Sequence, residues 1–150
     1  MKILMVCLGN ICRSPLAEGI LKHKITQQNL DWEVDSAGTS SYHAGELPDS
    51  RSIAVARKYG IDITDQRSRK FLVDDFDNFD KILVMDASNY QNVQKLIRDE
   101  NDKSKVEMIR NLVNPGWNEQ VPDPYWGSDG FENIYQMIDE ACDQFILSNK

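Results

Sequence analysis

Ile3-Leu4-Met5-Val6-Cys7-Leu8-Gly9-Asn10-Ile11-Cys12-Arg13-Ser14-Pro15 joins an unbroken apolar run to a short loop and then to a Ser-Pro pair. An apolar run without polar alternation is expected of a strand buried on both faces, as in a parallel sheet. Ser14-Pro15 suits a helix start, because a proline in the first turn gives up no needed N–H. Leu16, Ala17, Ile20, Leu21 and Ile25 continue as a helical stripe. The stretch therefore predicts a strand, a tight loop and a helix N-terminus in succession. The first N–H groups of a helix are unpaired and its dipole is positive there, so anions collect at that end, and a thiolate is favoured by the same field. Cys7 then stands as a nucleophile at the mouth of an anion-binding loop, and Arg13 as a permanently charged fork for phosphate oxygens.

Outward from this loop, short apolar strands alternate with helical stretches. Trp32 to Ala37 reads as a second strand, ended by the turn Ala37-Gly38-Thr39-Ser40, with a polar loop over 41–50. Asp49 or Ser50 caps a helix bearing Ile53, Ala54, Ala56 and Arg57, and Gly60 stops it. Residues 61–70 are irregular, and Phe71, Phe76 and Phe79 anchor a connecting segment. Lys81 to Met85 is a third strand, and Asp86-Ala87-Ser88 leads into a helix bearing Val93, Leu96 and Ile97. Val106 to Leu112 holds a last short strand, 114–129 a long loop rich in Pro, Gly and Trp, and Phe131 to Phe145 a helix with Cys142 on its apolar face. The alternation implies an α/β domain with a parallel sheet and helices on both faces. Ligands in such sheets bind at the C-terminal ends of the strands, which is where residues 7–14 fall.

The 150 residues fit one domain, 1–150. A net charge of -7 argues against a general nucleic-acid binder, so an anionic ligand must be held by local groups. Three cysteines, Cys7, Cys12 and Cys142, are too few for a disulfide scaffold and form no zinc pattern with His23 and His43, both read as surface residues. The apolar run before Cys7 is too short for a signal peptide, and no segment has the length of a membrane span. A cytoplasmic protein with reduced thiols and no membrane partner is expected.

The loop is not a nucleotide P-loop, since it lacks the G-x-x-x-x-G-K-[ST] lysine and the magnesium-binding hydroxyl. Curled backbone amides around Gly9 and Asn10 would complete an anion nest. The C-x-x-x-x-x-R spacing alone carries little. With the Cys and Arg content of this chain it arises by chance in roughly one such sequence in seven, and the strand before and helix start after it supply the weight.

The chain resembles the low-molecular-weight protein tyrosine phosphatase family. The resemblance rests on V-C-L-G-N-I-C-R-S-P at 6–15, D-S-A-G-T at 35–39 and D-P-Y at 123–125, with fainter echoes in G-I-D at 60–62 and F-D-K-I-L-V-M-D at 79–86. It implies a three-layer fold of flavodoxin-like winding, with a four-stranded parallel sheet in the order 2-1-3-4. It also implies a phosphoric monoester hydrolase that needs no metal or cofactor and works through a phosphocysteine. Position by position, Cys7 resembles the nucleophile, Arg13 the phosphate-binding arginine, Ser14 the donor to the thiolate and Asp123 the general acid and base. Asn10, Ser14 and Ser36 match the polar residues that brace the loop. The amides of Leu8, Gly9, Asn10, Ile11, Cys12 and Ser14 surround the phosphate, with Leu8 and Ile11 as cleft floor and Tyr42, Tyr125 and Trp126 as walls. A cleft of that depth favours phosphotyrosine over phosphoserine.

The resemblance further implies that Cys12 can form a reversible disulfide with Cys7, which spares the nucleophile from irreversible oxidation. Expected partners are phosphotyrosine-containing proteins, a cognate tyrosine kinase, and phosphate or oxyanion inhibitors. Several family members carry a histidine near Asp65, so the network behind the loop is expected to be wired differently here. Two other activities share this fold. Thiol-dependent arsenate reductases need a further cysteine pair, which residues 80–105 lack. Protein-arginine phosphatases favour threonine at the position of Ile11. An anion-binding module with an inert Cys7 is the non-enzymatic alternative.

Overall fold

In the computed structural model, which describes residues 1–127 and 130–150, Lys2–Cys7 forms β1, and Ile3, Leu4, Met5 and Val6 are wholly buried. Ile3, Met5 and Cys7 face one core with Leu16, Ala17, Ile20 and Leu21, while Leu4 and Val6 face a second core with Phe71, Phe76 and Val93. Alternate side chains of one apolar strand thus serve two layers, which is why the run shows no polar alternation.

β1 is followed by α1 (Arg13–Gln27) and β2 (Glu33–Gly38), then by α2 (Ser50–Lys58) and the single turn α3 (Asp75–Asn78). The chain continues through β3 (Lys81–Val84), α4 (Ala87–Gln94), α5 (Glu100–Lys105) and β4 (Val106–Met108). A 3₁₀ turn over Ile109–Leu112 and the long α6 (Phe131–Asn149) complete it. The four strands are parallel in the order β2-β1-β3-β4, with Val6 level with Ala37 on one side and Val84 on the other. This is the expected 2-1-3-4 winding. The chain goes from β1 to β2 on one flank and then back to β3 on the other, so a crevice opens where the connections after β1 and β3 diverge.

The local signals hold at most element ends. Asp49 caps α2 by accepting from the Arg51 N–H at 2.9 Å, and Gly60, past its end, takes φ +78. Asp86 caps α4 in a reciprocal capping box with Asn89. Three readings are corrected. The helix expected to carry Val93, Leu96 and Ile97 ends at Gln94, and α5 follows as a separate helix capped by Asp99. Glu-Asn-Asp-Lys-Ser-Lys offers no apolar position, so no periodicity announces it. The connecting segment contains a helical turn, α3, that the sequence reading omits, while Phe71, Phe76 and Phe79 anchor the segment on the second core as expected. Trp32 lies outside β2 and packs edge-on against Phe145, with ring centroids 5.8 Å apart. Ser128 and Asp129, included in the long-loop reading, lie outside the described residues.

Candidate active site

Cys7 ends β1 and Arg13 begins α1, so the intervening loop wraps the helix N-terminus at the crevice. The loop closes through Asn10, whose φ of +56 places it in the left-handed region that asparagine tolerates better than most residues. Its buried side chain points behind the loop. Nδ2 donates to Ser14 Oγ at 2.7 Å and to Ser36 Oγ at 3.0 Å, and Oδ1 accepts from the Arg69 N–H at 3.0 Å. Ser14 Oγ lies 3.0 Å from Cys7 Sγ. Because Ser14 already accepts from Asn10, its own proton can go to the sulfur or to Ala37 O at 3.5 Å, and the sulfur is the nearer. Ser36 Oγ in turn donates to buried Glu18 at 2.6 Å, and Glu18 pairs with Lys22 at the surface. Burial pushes the Glu18 carboxyl upward, against the pull of Lys22 and Ser36.

The other brace comes from residues 66–69. Gln66 Nε2 donates to Pro15 O at 3.1 Å and Ser68 Oγ to Gly9 O at 3.0 Å. Gln66 is buried and Asp65 exposed, so of these two neighbours it is Gln66 that turns toward the loop, beside Ser68.

Arg13 is 2% exposed, and its guanidinium is held at two points. Nη1 donates to Asp86 Oδ2 at 2.6 Å and to Val121 O at 2.9 Å. Among the described residues neither Nε nor Nη2 has a hydrogen-bond acceptor, and Nη2 lies 3.7 Å from Asp123 Oδ2. Burial works against this charge, but Cys7 and Asp86 carry its pKa above the ordinary arginine value. Asp86 divides its carboxylate, Oδ1 capping α4 through the Asn89 N–H at 2.8 Å and Oδ2 fixing Arg13. Its place after β3, across the crevice from Cys7, is the only advance signal of this role, and the sequence reading did not name it.

Cys7, Leu8, Gly9, Ile11, Cys12, Arg13, Tyr42, Asp123, Tyr125 and Trp126 all line one cleft of about 340 Å³. Asn10, Ser14 and Ser36 do not; their side chains sit behind the loop. Tyr42 and Trp126 stand at the rim, 85% and 89% exposed, and the Tyr125 ring meets the Trp126 ring edge-on at 4.9 Å. Asp123 Oδ1 accepts from the Tyr125 N–H at 3.0 Å, which turns the carboxyl toward Arg13. His43 corrects the surface reading. It is half-buried in the cleft wall, its ring 4.8 Å from Tyr42 and 6.0 Å from Tyr125, with Nδ1 2.9 Å from Glu46. His23 is exposed.

Among the described residues no group of three or more His, Cys, Asp or Glu side chains could hold a metal ion, and no helix is long and apolar enough to cross a membrane.

Known proteins with this arrangement are numerous. The low molecular weight phosphotyrosine protein phosphatase of Schizosaccharomyces pombe is 38% identical over 151 residues, covering 98% of this chain and 96% of its own. A crystal structure of a protein tyrosine phosphatase from Entamoeba histolytica superposes with a TM-score of 0.92 at 37% identity, over 99% of this chain and 96% of that one. An arginine phosphatase of Drosophila superposes equally well, at TM-score 0.92 and 35% identity, over 100% and 98% of the two chains. Residues 2–150 match the family described as low molecular weight phosphotyrosine protein phosphatase. With the sheet order, the loop at the end of β1 and these relatives in agreement, the chain belongs to the low molecular weight phosphotyrosine protein phosphatase family.

Proposed function

We propose that residues 1–150 form one cytoplasmic catalytic domain that hydrolyses phosphotyrosine in proteins through a phosphocysteine intermediate. The observation that carries this reading is the meeting of Cys7, Arg13 and Asp123 in one cleft at the N-terminus of α1. Phosphoryl transfer passes through a loose transition state, so catalysis is mainly positioning and charge stabilisation. The loop amides and the free edge of the Arg13 guanidinium cradle the phosphate. The Cys7 thiolate, favoured by the helix N-terminus, Arg13 and the Ser14 hydroxyl, attacks phosphorus as the P–O bond to tyrosine breaks. Asp123 gives its proton to the departing phenolate. The resulting carboxylate then takes a proton from the water that attacks the phosphocysteine, releasing phosphate and restoring the thiolate. Acid–base help of this kind is worth about 10²–10⁴-fold.

Leu8 and Ile11 supply apolar lining, and the Tyr125 ring, with Tyr42 at the rim, flanks the space where a phenyl ring would sit. A shorter phosphoserine would not reach Cys7. The apolar Ile11, where the resembled arginine phosphatases favour threonine, favours phosphotyrosine over phosphoarginine. Its partners are then phosphotyrosine-containing proteins and the tyrosine kinase whose products it reverses. Turnover of matched phosphotyrosine, phosphoarginine and phosphoserine peptides, with acid quenching and mass spectrometric mapping, tests the whole reading. Fastest turnover of phosphotyrosine with phosphate trapped on Cys7 is expected; preference for phosphoarginine, or an unmodified Cys7 during turnover, overturns it.

Cys12 has a second role in this reading. Burial, reinforced by Asp49, pushes its thiol up to about 12, so at pH 7 it is protonated and does not compete with Cys7. Peroxide converts Cys7 to the sulfenic acid, and Cys12 displaces its hydroxyl as water to form a disulfide. At pH 7 iodoacetate is expected to label Cys7 and spare Cys12, whose thiolate fraction rises about tenfold per pH unit toward its high pKa. After peroxide, wild type should recover with dithiothreitol and Cys12→Ser should not. Equal labelling of both thiols at pH 7, or full recovery of Cys12→Ser, contradicts this assignment.

A further inference from the structure

We propose that Arg51 is a positioning residue for proton transfer, holding the turn that follows Asp123 in register with the phosphate-binding loop. The inference rests on the reading of Asp123 as the proton donor. Arg51 lies in the first turn of α2, outside the cleft, and the sequence gives no hint of a role for it. Its guanidinium reaches two carbonyls of the acid-bearing turn, Nη2 donating to Tyr125 O at 3.0 Å and Nη1 to Gly127 O at 2.6 Å. The same plane lies 4.6 Å from the Phe131 ring centroid at the start of α6 and 5.8 Å from the Tyr125 ring. Asp49 fixes it from behind, accepting from Nε at 3.0 Å and from Nη2 at 3.0 Å.

The other side of this bracket grips the nucleophile loop. The Asp49 N–H donates to Ile11 O at 2.8 Å, and Ser52 Oγ donates to Cys12 O at 3.1 Å. The first turn of α2 therefore ties the loop that carries Cys7 to the turn that follows Asp123. Without Arg51, Asp123 retains its bond from the Tyr125 N–H, the Gly127–Pro124 turn bond and the 3.7 Å approach to Arg13. Arg13 reaches the Asp123 carboxyl from α1, and none of these contacts ties the turn to α2. The Arg51 side chain also holds the Asp49 carboxyl below the usual carboxylate range, so the pair stays ionised in the mildly acidic range where aryl phosphates are assayed. A lysine cannot reproduce a planar fork that serves two carbonyls and a carboxylate at once.

The test is kcat/KM for a series of aryl phosphates graded by leaving group, in wild type, Asp123→Ala, Arg51→Met and the double variant. With misplacement by about an ångström able to cost on the order of 10²-fold, Arg51→Met is expected to lose about 10- to 50-fold on poor leaving groups and little on good ones. In the Asp123→Ala background the same change should cost no more than about twofold, since the group it positions is gone. Asp49→Asn, which keeps a cap acceptor for α2 but removes the negative charge that holds the Arg51 guanidinium, should show the same leaving-group pattern more weakly. It also keeps the proposal testable if Arg51→Met folds poorly. An equal loss across leaving groups, or an equal loss with and without Asp123, overturns the inference. If Asp123→Ala itself shows no leaving-group dependence, the reading of Asp123 falls instead.

Discussion

Cys7→Ser is expected to lower kcat/KM for p-nitrophenyl phosphate by at least about 10⁴-fold, equivalent to about 5.5 kcal/mol of transition-state stabilisation. The substitution exchanges one atom at the end of β1, 2% exposed and 3.0 Å from Ser14 Oγ, so the loop around it should persist. What changes is the nucleophile. A serine hydroxyl stays protonated at any pH the fold tolerates, and among the described residues His43, in the wall, is the one histidine or lysine that lines the cleft. Phosphate binding is expected to survive within a few-fold, because Arg13 and the loop amides are untouched, and calorimetric titration with inorganic phosphate measures it. An active Cys7→Ser protein would mean that water attacks phosphorus directly, and the phosphocysteine mechanism would be lost.

How much of this was legible follows from how far each feature reaches along the chain. β1, the loop and the start of α1 are local, and the change from an unbroken apolar run to Ser-Pro and a helical stripe marks all three. The order 2-1-3-4 is not local, and it came from the family resemblance rather than from periodicity. α5 was missed because its stability comes from a cap and exposed polar faces that leave no hydrophobic pattern. The site behaves the same way. Cys7 and Arg13 lie six residues apart on either side of a turn and announce themselves, whereas the groups that hold Arg13 are 73 and 108 positions away. Asp86 meets Arg13 because β1 and β3 end side by side, and Val121 does so because its N–H donates to Met85 O at 2.9 Å at the end of β3. His43 was missed for a related reason: the wall it completes is formed by Tyr42 beside it and by Tyr125 far along the chain. Gln66 differs from Asp65 by one position, and in an irregular segment no period decides which of two neighbours turns inward.

Arg13→Lys retains the charge and is nevertheless expected to cost about 10²–10³-fold in kcat/KM, or about 3–4 kcal/mol. The reason is the division of labour on one guanidinium. Nη1 is committed to Asp86 and Val121 O, which leaves Nε and Nη2 for the phosphate. An ammonium is a point charge and must either stay with Asp86 or turn toward the ligand. If it stays, the phosphate loses its bidentate partner. If it turns, Asp86 remains with a side chain only 17% exposed and no cation at hydrogen-bond distance, facing an incoming dianion. The loss should therefore appear in both KM and kcat, and inorganic phosphate should bind at least about tenfold more weakly, a change of about 1.4 kcal/mol. Asp86→Asn added to Arg13→Lys is expected to recover part of the phosphate affinity, because it removes the competing carboxylate and keeps an oxygen to cap α4. Arg13→Lys with activity within tenfold of wild type would show that charge alone suffices and that the fork held by Asp86 and Val121 is structural. A double variant that binds phosphate no better than Arg13→Lys would show that Asp86 does not compete for the ammonium.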